Sequence, residues 1–305
     1  MAFSLRYAVT TSPATLPTAA VVCSLVWLFG GIVEGMRWVA WLVTLITMFA
    51  VMHWNSQATL IRQRTRMAST SFIVLLTAFA FLEPWSPSMV AALCYVLTHI
   101  VLSHCYQNPK SQGWAFHAFL LLATGSLCFR PILLLAPFFI LSMAVQLQTF
   151  TWRTFMAAII GLATPYWLIL AWNLTTGSGY DIPLWQAGDF TFGLISPASL
   201  DTSRKLSLFF LLVYIAIAML DYMRTYYQDK IRTRMFIYMI MVQLAGLGLM
   251  LLFLPSDFDS VMRLICCCAA PLIGHHLTLA RGRFVRWYFI GTLTLVLLLI
   301  IYTRV

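Results

Sequence analysis

The sequence predicts an all-α, polytopic integral membrane protein of about eleven transmembrane helices, and three observations carry that prediction. Of its 305 residues 61% are hydrophobic and only 9% are charged, with a mean hydropathy of +0.87. A soluble domain carries about 25% charged residues and would need them to cover its surface. The apolar residues fall in repeated runs long enough for helices, not in the alternating segments of about ten residues that mark an outer-membrane barrel. The basic residues gather in alternate loops.

A helix needs about 20 apolar residues to cross roughly 30 Å of hydrocarbon, with a lower limit near 17. On that scale the spans read as 16–33, 37–53, 68–82, 88–103, 114–129, 131–148, 154–173, 206–222, 235–254, 262–280 and 287–302. The segment from Met1 to Pro17 is polar, and the apolar stretch after it lacks a convincing cleavage site, so it reads as a retained first helix. The third span is short. The fifth and sixth form one apolar stretch interrupted at Arg130-Pro131. Proline cannot donate a backbone hydrogen bond and turns its predecessor away from helix, so the interruption is either a tight turn or the kink of one tilted helix. The chain reads as a single transmembrane domain over 1–305, with an extended external loop at 175–205 that is too long for a simple connection and too apolar for a disordered linker.

Charge counting orients these spans. With the N-terminus in the cytoplasm, the cytoplasmic segments hold 13 of the 19 basic residues and two acids, Asp221 and Asp229. The opposite side holds six basic residues and seven acids. The positive-inside bias sets orientation, so the expected location is a bacterial inner membrane with a cytoplasmic N-terminus and a periplasmic C-terminus. The net charge of +10 is therefore read as topological, and nucleic acid is not an expected partner. Arg62, Arg64 and Arg66, the Arg224–Arg234 loop and Arg281–Arg286 meet an anionic leaflet, where each basic side chain gains about 1 kcal/mol. Membrane lipids are thus the expected partners, and a second membrane protein is the other.

No Walker loop, GxSxG, HExxH or GxGxxG signature occurs, and no cofactor is implied. No metal site is expected either. His275 and His276 are adjacent and diverge by about 100° on a helix, and the seven cysteines form no CxxC pair; the Cys266-Cys267-Cys268 run reads as packing. The candidate chemistry lies at the external face. Glu34 and Glu83 are the candidate general bases, and Arg37, Arg130 and Arg263 are the candidate ligands for a lipid phosphate, because the guanidinium fork donates to two phosphate oxygens. The plainer reading of each is an interfacial charge that closes a helix end.

Two resemblances bear on this. The stretch from Ser126 to Pro137, then Phe150-Thr151-Trp152-Arg153, then Gly161 to Tyr166, resembles a multi-span inner-membrane family of Bacteroidota that has no assigned activity, most clearly over residues 115–175. It implies a fold and an inner membrane and says little of chemistry. The same stretch is more loosely similar to multi-span glycosyltransferases that use polyprenyl-phosphate sugars. There an Arg-Pro hairpin, a basic turn, a Gly-x-x-x-Pro helix and an Asn-x-Thr-Thr-Gly-Ser exit follow one another, as do Arg130-Pro131, Arg153, Gly161 with Pro165, and Asn173 to Ser178 here. That likeness implies a catalytic acid after the first helix, where Glu34 stands, and a polyprenyl-phosphate partner. The loop holding Glu34 is, however, much shorter than in those enzymes, lacks their acidic pair, and is not accompanied by their soluble domain. Three functions follow: a non-catalytic subunit or scaffold in envelope biogenesis, a glycosyltransferase-like enzyme at the periplasmic face, and a transporter. The transporter ranks last, because few charges fall near the membrane midplane.

Overall fold

A computed structural model describes residues 9–30, 36–177, 200–280 and 285–304. Among them all regular structure is helical. The helices are α1 (Thr15–Phe29), α2 (Arg37–Ala58), α3 (Met67–Ala78), α4 (Ser88–Ser103), α5 (Gln112–Cys128), α6 (Ala136–Val145), α7 (Trp152–Thr176), α8 (Thr202–Thr225), α9 (Ile231–Phe253), α10 (Phe258–Leu279) and α11 (Val285–Tyr302). Five are long and apolar enough to cross a membrane: α2, α7, α8 with its following turn, α9, and α10 with its preceding turn. The others are shorter. α3 has 12 residues, about 18 Å of helix, extended by a 3₁₀ turn at Ala80–Leu82.

The break at Arg130-Pro131 is a hairpin. α5 ends at Cys128, a 3₁₀ segment runs over Arg130–Leu135, and α6 follows. The Gln107 N–H, before α5, donates to the Leu147 carbonyl, beyond α6, at 2.9 Å. The chain therefore returns to the level at which it started.

α10 is the centre of the bundle. It packs on α3, α4, α8 and α9, and nearly every one of its side chains is buried, including Cys266, Cys267 and Cys268. Its middle, residues 264–274, is apolar on all sides, and a helix segment of that kind belongs inside. α3 lies beside it, buried under α1, α2, α10 and α11, which accounts for a short helix that hardly meets the surroundings of the bundle. Small residues set the closest approaches, as expected where packing drives association. A Cβ on Gly274 of α10 would stand 2.7 Å from the Ala68 backbone nitrogen of α3, and one on Gly161 of α7 would stand 2.5 Å from the Phe116 carbonyl of α5. α7 is the least buried of the five long helices and exposes Trp167, Leu168, Trp172 and Leu174.

The first and last described segments lie at opposite ends of α3. The Thr65 hydroxyl donates to the Thr10 carbonyl at 2.7 Å, beside the start of α3. The Thr303 hydroxyl, at the end of α11, donates to the Ala78 carbonyl at the end of α3 at 3.1 Å.

Candidate functional site

Polar groups collect at the two ends of α10. Arg263 and His275 are 12 positions apart, about 18 Å along the axis, and the helix between them is apolar. The two clusters are therefore separate sites.

The first cluster is built where α1 ends, α2 begins, α3 ends and α4 and α10 begin. Glu83 follows the 3₁₀ turn after α3 and is only 4% exposed. Its carboxylate pairs with the Arg304 guanidinium at the end of α11. Arg304 also donates to the Thr77 carbonyl at 3.0 Å, which fastens α11 to α3. Burial pushes the Glu83 carboxyl from 4.5 up to about 7, while the positive charges of Arg304 and then Arg37 pull it the other way. Arg37 donates to the Gly30 carbonyl at the end of α1. A Cβ on Gly30 would lie 3.5 Å from a Glu83 carboxylate oxygen, so Gly30, Arg37, Glu83 and Arg304 form one cluster.

Arg263, also 4% exposed, donates to the Ser88 hydroxyl of α4 and to the Leu82 carbonyl at 2.9 Å. Its Nε has no partner among the described residues. It ties the start of α10 to the start of α4. It also lines a cavity of about 420 Å³ whose walls include Trp85, Arg204, Asp257 and Asp259. Arg204 grips Asp259 through both nitrogens, Nε to Oδ1 at 2.9 Å and Nη2 to Oδ2 at 2.8 Å. Neither Glu83 nor Arg130 is among the described walls of this cavity. Arg130 opens the 3₁₀ segment before α6, is half-buried, and belongs to a turn that packs on α5, α6 and α9. Of the five residues singled out in the sequence, the structure thus places Arg37, Glu83 and Arg263 around the end of α3 and the starts of α2, α4 and α10. Arg130 sits in the α5–α6 hairpin. Glu34 lies outside the described residues, as does most of the loop at 175–205 that the sequence reading placed externally.

The second cluster, at the other end of α10, was not anticipated as a site. His275 Nε2 lies 3.0 Å from Asp229 Oδ2, and His276 Nδ1 lies 2.7 Å from Asp221 Oδ2. Asp229 is buried, and its other oxygen stands 3.8 Å from Arg62 Nη1. Tyr222 packs edge-on against His275, and Tyr288 against His276. The divergence of adjacent helical side chains is what gives each histidine its own acid. One sign was available in the sequence: the charge count sets Asp221 and Asp229 apart from the other seven acids, on the side to which it also assigns the end of the helix carrying the two histidines. Arg304 was likewise counted only as an external charge. Among the described residues no group of three or more His, Cys, Asp or Glu is arranged to hold a metal.

Glu83, Asp221, Asp229, Asp259, Arg37, Arg62, Arg204, Arg263 and Arg304 are each held by another part of the chain. Such an arrangement locks helix ends to one another. Among the described residues no exposed carboxylate stands beside Glu83 for proton abstraction, and the cavity beside Arg263 combines two arginines with two acids, a near-neutral wall. Comparison of the chain with family models, curated proteins and solved structures finds no match.

Proposed function

We propose that the chain is a multi-pass protein of a bacterial inner membrane that acts as a non-catalytic subunit or scaffold in envelope biogenesis. All eleven helices contribute to the membrane domain, with the N-terminus cytoplasmic and the C-terminus periplasmic. The observation that carries this reading is the internal pairing of the external charges: Glu83 with Arg304, Arg204 with Asp259, and Arg37 and Arg263 with backbone and hydroxyl oxygens. Placement of Thr10 and Thr303 at opposite ends of α3 suits an odd number of passes. The broad apolar face of α7 suits contact with lipid or with a membrane-protein partner.

A glycosyltransferase-like enzyme that uses a polyprenyl-phosphate-linked substrate is the second reading. Arg263 beside a cavity of about 420 Å³ favours it, and Asp257 and Asp259 on the same wall oppose a phosphate there. The two readings are separated by thermal stability in detergent with and without polyprenyl phosphate, for the parent, Arg263→Gln and Arg263→Lys. A scaffold shows no saturable response to the lipid in any of the three. Stabilisation of the parent by the lipid, lost in both variants, would replace the scaffold reading with the enzymatic one. Orientation is tested independently. After replacement of the native cysteines, Thr176→Cys reacts with an impermeant thiol reagent from the periplasm, and Thr225→Cys reacts only once the inner membrane is opened. The reverse pattern would overturn the orientation.

A further inference from the structure

A cavity of about 600 Å³ opens at the Asp229 end of the bundle, between the end of α2, the loop 59–66 and the start of α9. Its walls include Arg62, Arg64 and Lys230, together with Asn55, Gln228 and Thr233. From this convergence we infer a binding site for a hydroxylated phosphate ester, such as the glycerol phosphate group of an anionic lipid or of a soluble metabolite. This goes beyond the scaffold reading and does not depend on it.

Local structure forces the convergence. α2 ends at Thr59, whose backbone takes φ 49° and ψ 47°, a left-handed turn that reverses the chain. Asn55 Nδ2 then donates to the Thr65 carbonyl at 3.1 Å and closes the loop on α2. The Thr233 hydroxyl donates to the Thr59 carbonyl at 3.0 Å and staples the loop to α9. Arg62 is held on one side by Asp229. Arg64 and Lys230 belong to exposed positions at the rim.

Charge selects the ligand. Three cations line the cavity, and Asp229 offsets one of them while also bonding His275. Two positive charges remain in excess. α9 begins at Ile231 with no side-chain cap, so its first-turn N–H groups and the positive end of its dipole add the same sign. A phosphate monoester or diester matches that surplus, and the guanidinium fork matches its oxygens. Size and wall chemistry define the rest. The volume falls within the range of roughly 300–1,000 Å³ typical of small-molecule sites and exceeds what one phosphate fills. The Gln228 amide and the Thr59 hydroxyl suit the hydroxyls of a polyol. Attraction of the same arginines to an anionic leaflet as a diffuse surface charge would make no such discrimination.

The test uses the full chain in a non-ionic detergent and reads thermal stability against three probes: sn-glycerol 3-phosphate, short-chain phosphatidylglycerol and short-chain phosphatidylcholine, with sodium chloride matching ionic strength. The variants are Arg64→Gln with Lys230→Gln, at the rim, and Arg66→Gln, an exposed neighbour outside the cavity walls. Saturable stabilisation by glycerol phosphate assigns a soluble ligand, and a response to phosphatidylglycerol alone assigns a lipid headgroup. Either result is expected to weaken at least tenfold in the double variant and to stay within twofold of the parent in Arg66→Gln. If the double variant fails to fold, each single variant is read instead, with at least a threefold loss expected. No saturable response to either phosphate probe, an equal response to phosphatidylcholine or chloride, or an equal loss in Arg66→Gln would overturn the site.

Discussion

Glu83→Gln isolates the energetics of the Glu83–Arg304 cluster. The carboxyl is 4% exposed, and burial raises its pKa from 4.5 to about 7 despite the two arginines. That rise corresponds to about 3 kcal/mol, at about 1.4 kcal/mol per tenfold change in proton affinity. Between pH 4.5 and 7 the folded protein holds a proton that the unfolded chain has released. Linkage then makes stability fall as pH rises through that window, with the loss complete above it. Glutamine imitates the protonated carboxyl and cannot titrate. Parent and variant are therefore expected to be nearly equal near pH 4.5, and the parent to become the less stable by several degrees of melting temperature at pH 8. The assay is thermal unfolding in detergent at closely spaced pH values. It is read as the difference between the two proteins, so that His275, His276 and other groups shared by both cancel. A parent that gains on the variant as pH rises would refute the reasoning. It would mean that the ion pair with Arg304 outweighs desolvation and holds the folded pKa below the unfolded value.

Three further outcomes are expected in the same melting assay. Gly161→Ala places a Cβ 2.5 Å from the Phe116 carbonyl and should cost about 1–3 kcal/mol, whereas Gly248→Ala, with nothing within 4 Å, should be neutral or slightly stabilising; equal melting temperatures would show that α5 and α7 yield freely. Asp229→Asn breaks a buried pair and should cost about 3–5 kcal/mol, and a loss under 1 kcal/mol would mean that Asp229 is solvated. Asp259→Asn, in a pair whose side chains are 37% and 38% exposed, should cost only about 0–1 kcal/mol, and a larger loss would place the Arg204–Asp259 contact among the structural supports of the bundle.

The helices were legible because their apolar runs are uninterrupted, and each of the spans read from the sequence overlaps a helical segment, although only five helices are long and apolar enough to cross a membrane. Length was less legible. The run at 68–82 is apolar enough for a span, yet its α-helix stops at Ala78, because a helix covered by its neighbours is free of the bilayer's length requirement. The Arg130-Pro131 interruption favoured a turn and left a kink as the alternative, and a bond between Gln107 and Leu147, 40 positions apart, decides for the turn. Arg37, Glu83 and Arg263 could be picked out as costly charges near hydrocarbon. Their partners could not, since Arg304 lies 221 positions from Glu83. The two His–Asp pairs were hidden for a related reason. Adjacent histidines on a helix look uninformative when one face is imagined buried, and they become two pairs only when the helix is surrounded on both sides.

The enclosure of α10 has a consequence for biogenesis. Residues 258–279 leave the ribosome after nine of the other helices, yet they supply the surface on which α3, α4, α8 and α9 close. Gly274 meets Ala68 across an interval of more than 200 positions. Until it arrives, the face of α3 around Ala68 lacks the helix that meets it in the folded chain. A chain arrested before residue 258 would leave the faces of α3, α4, α8 and α9 that pack on α10 uncovered. The late central helix thus makes the earlier helices wait for their own core.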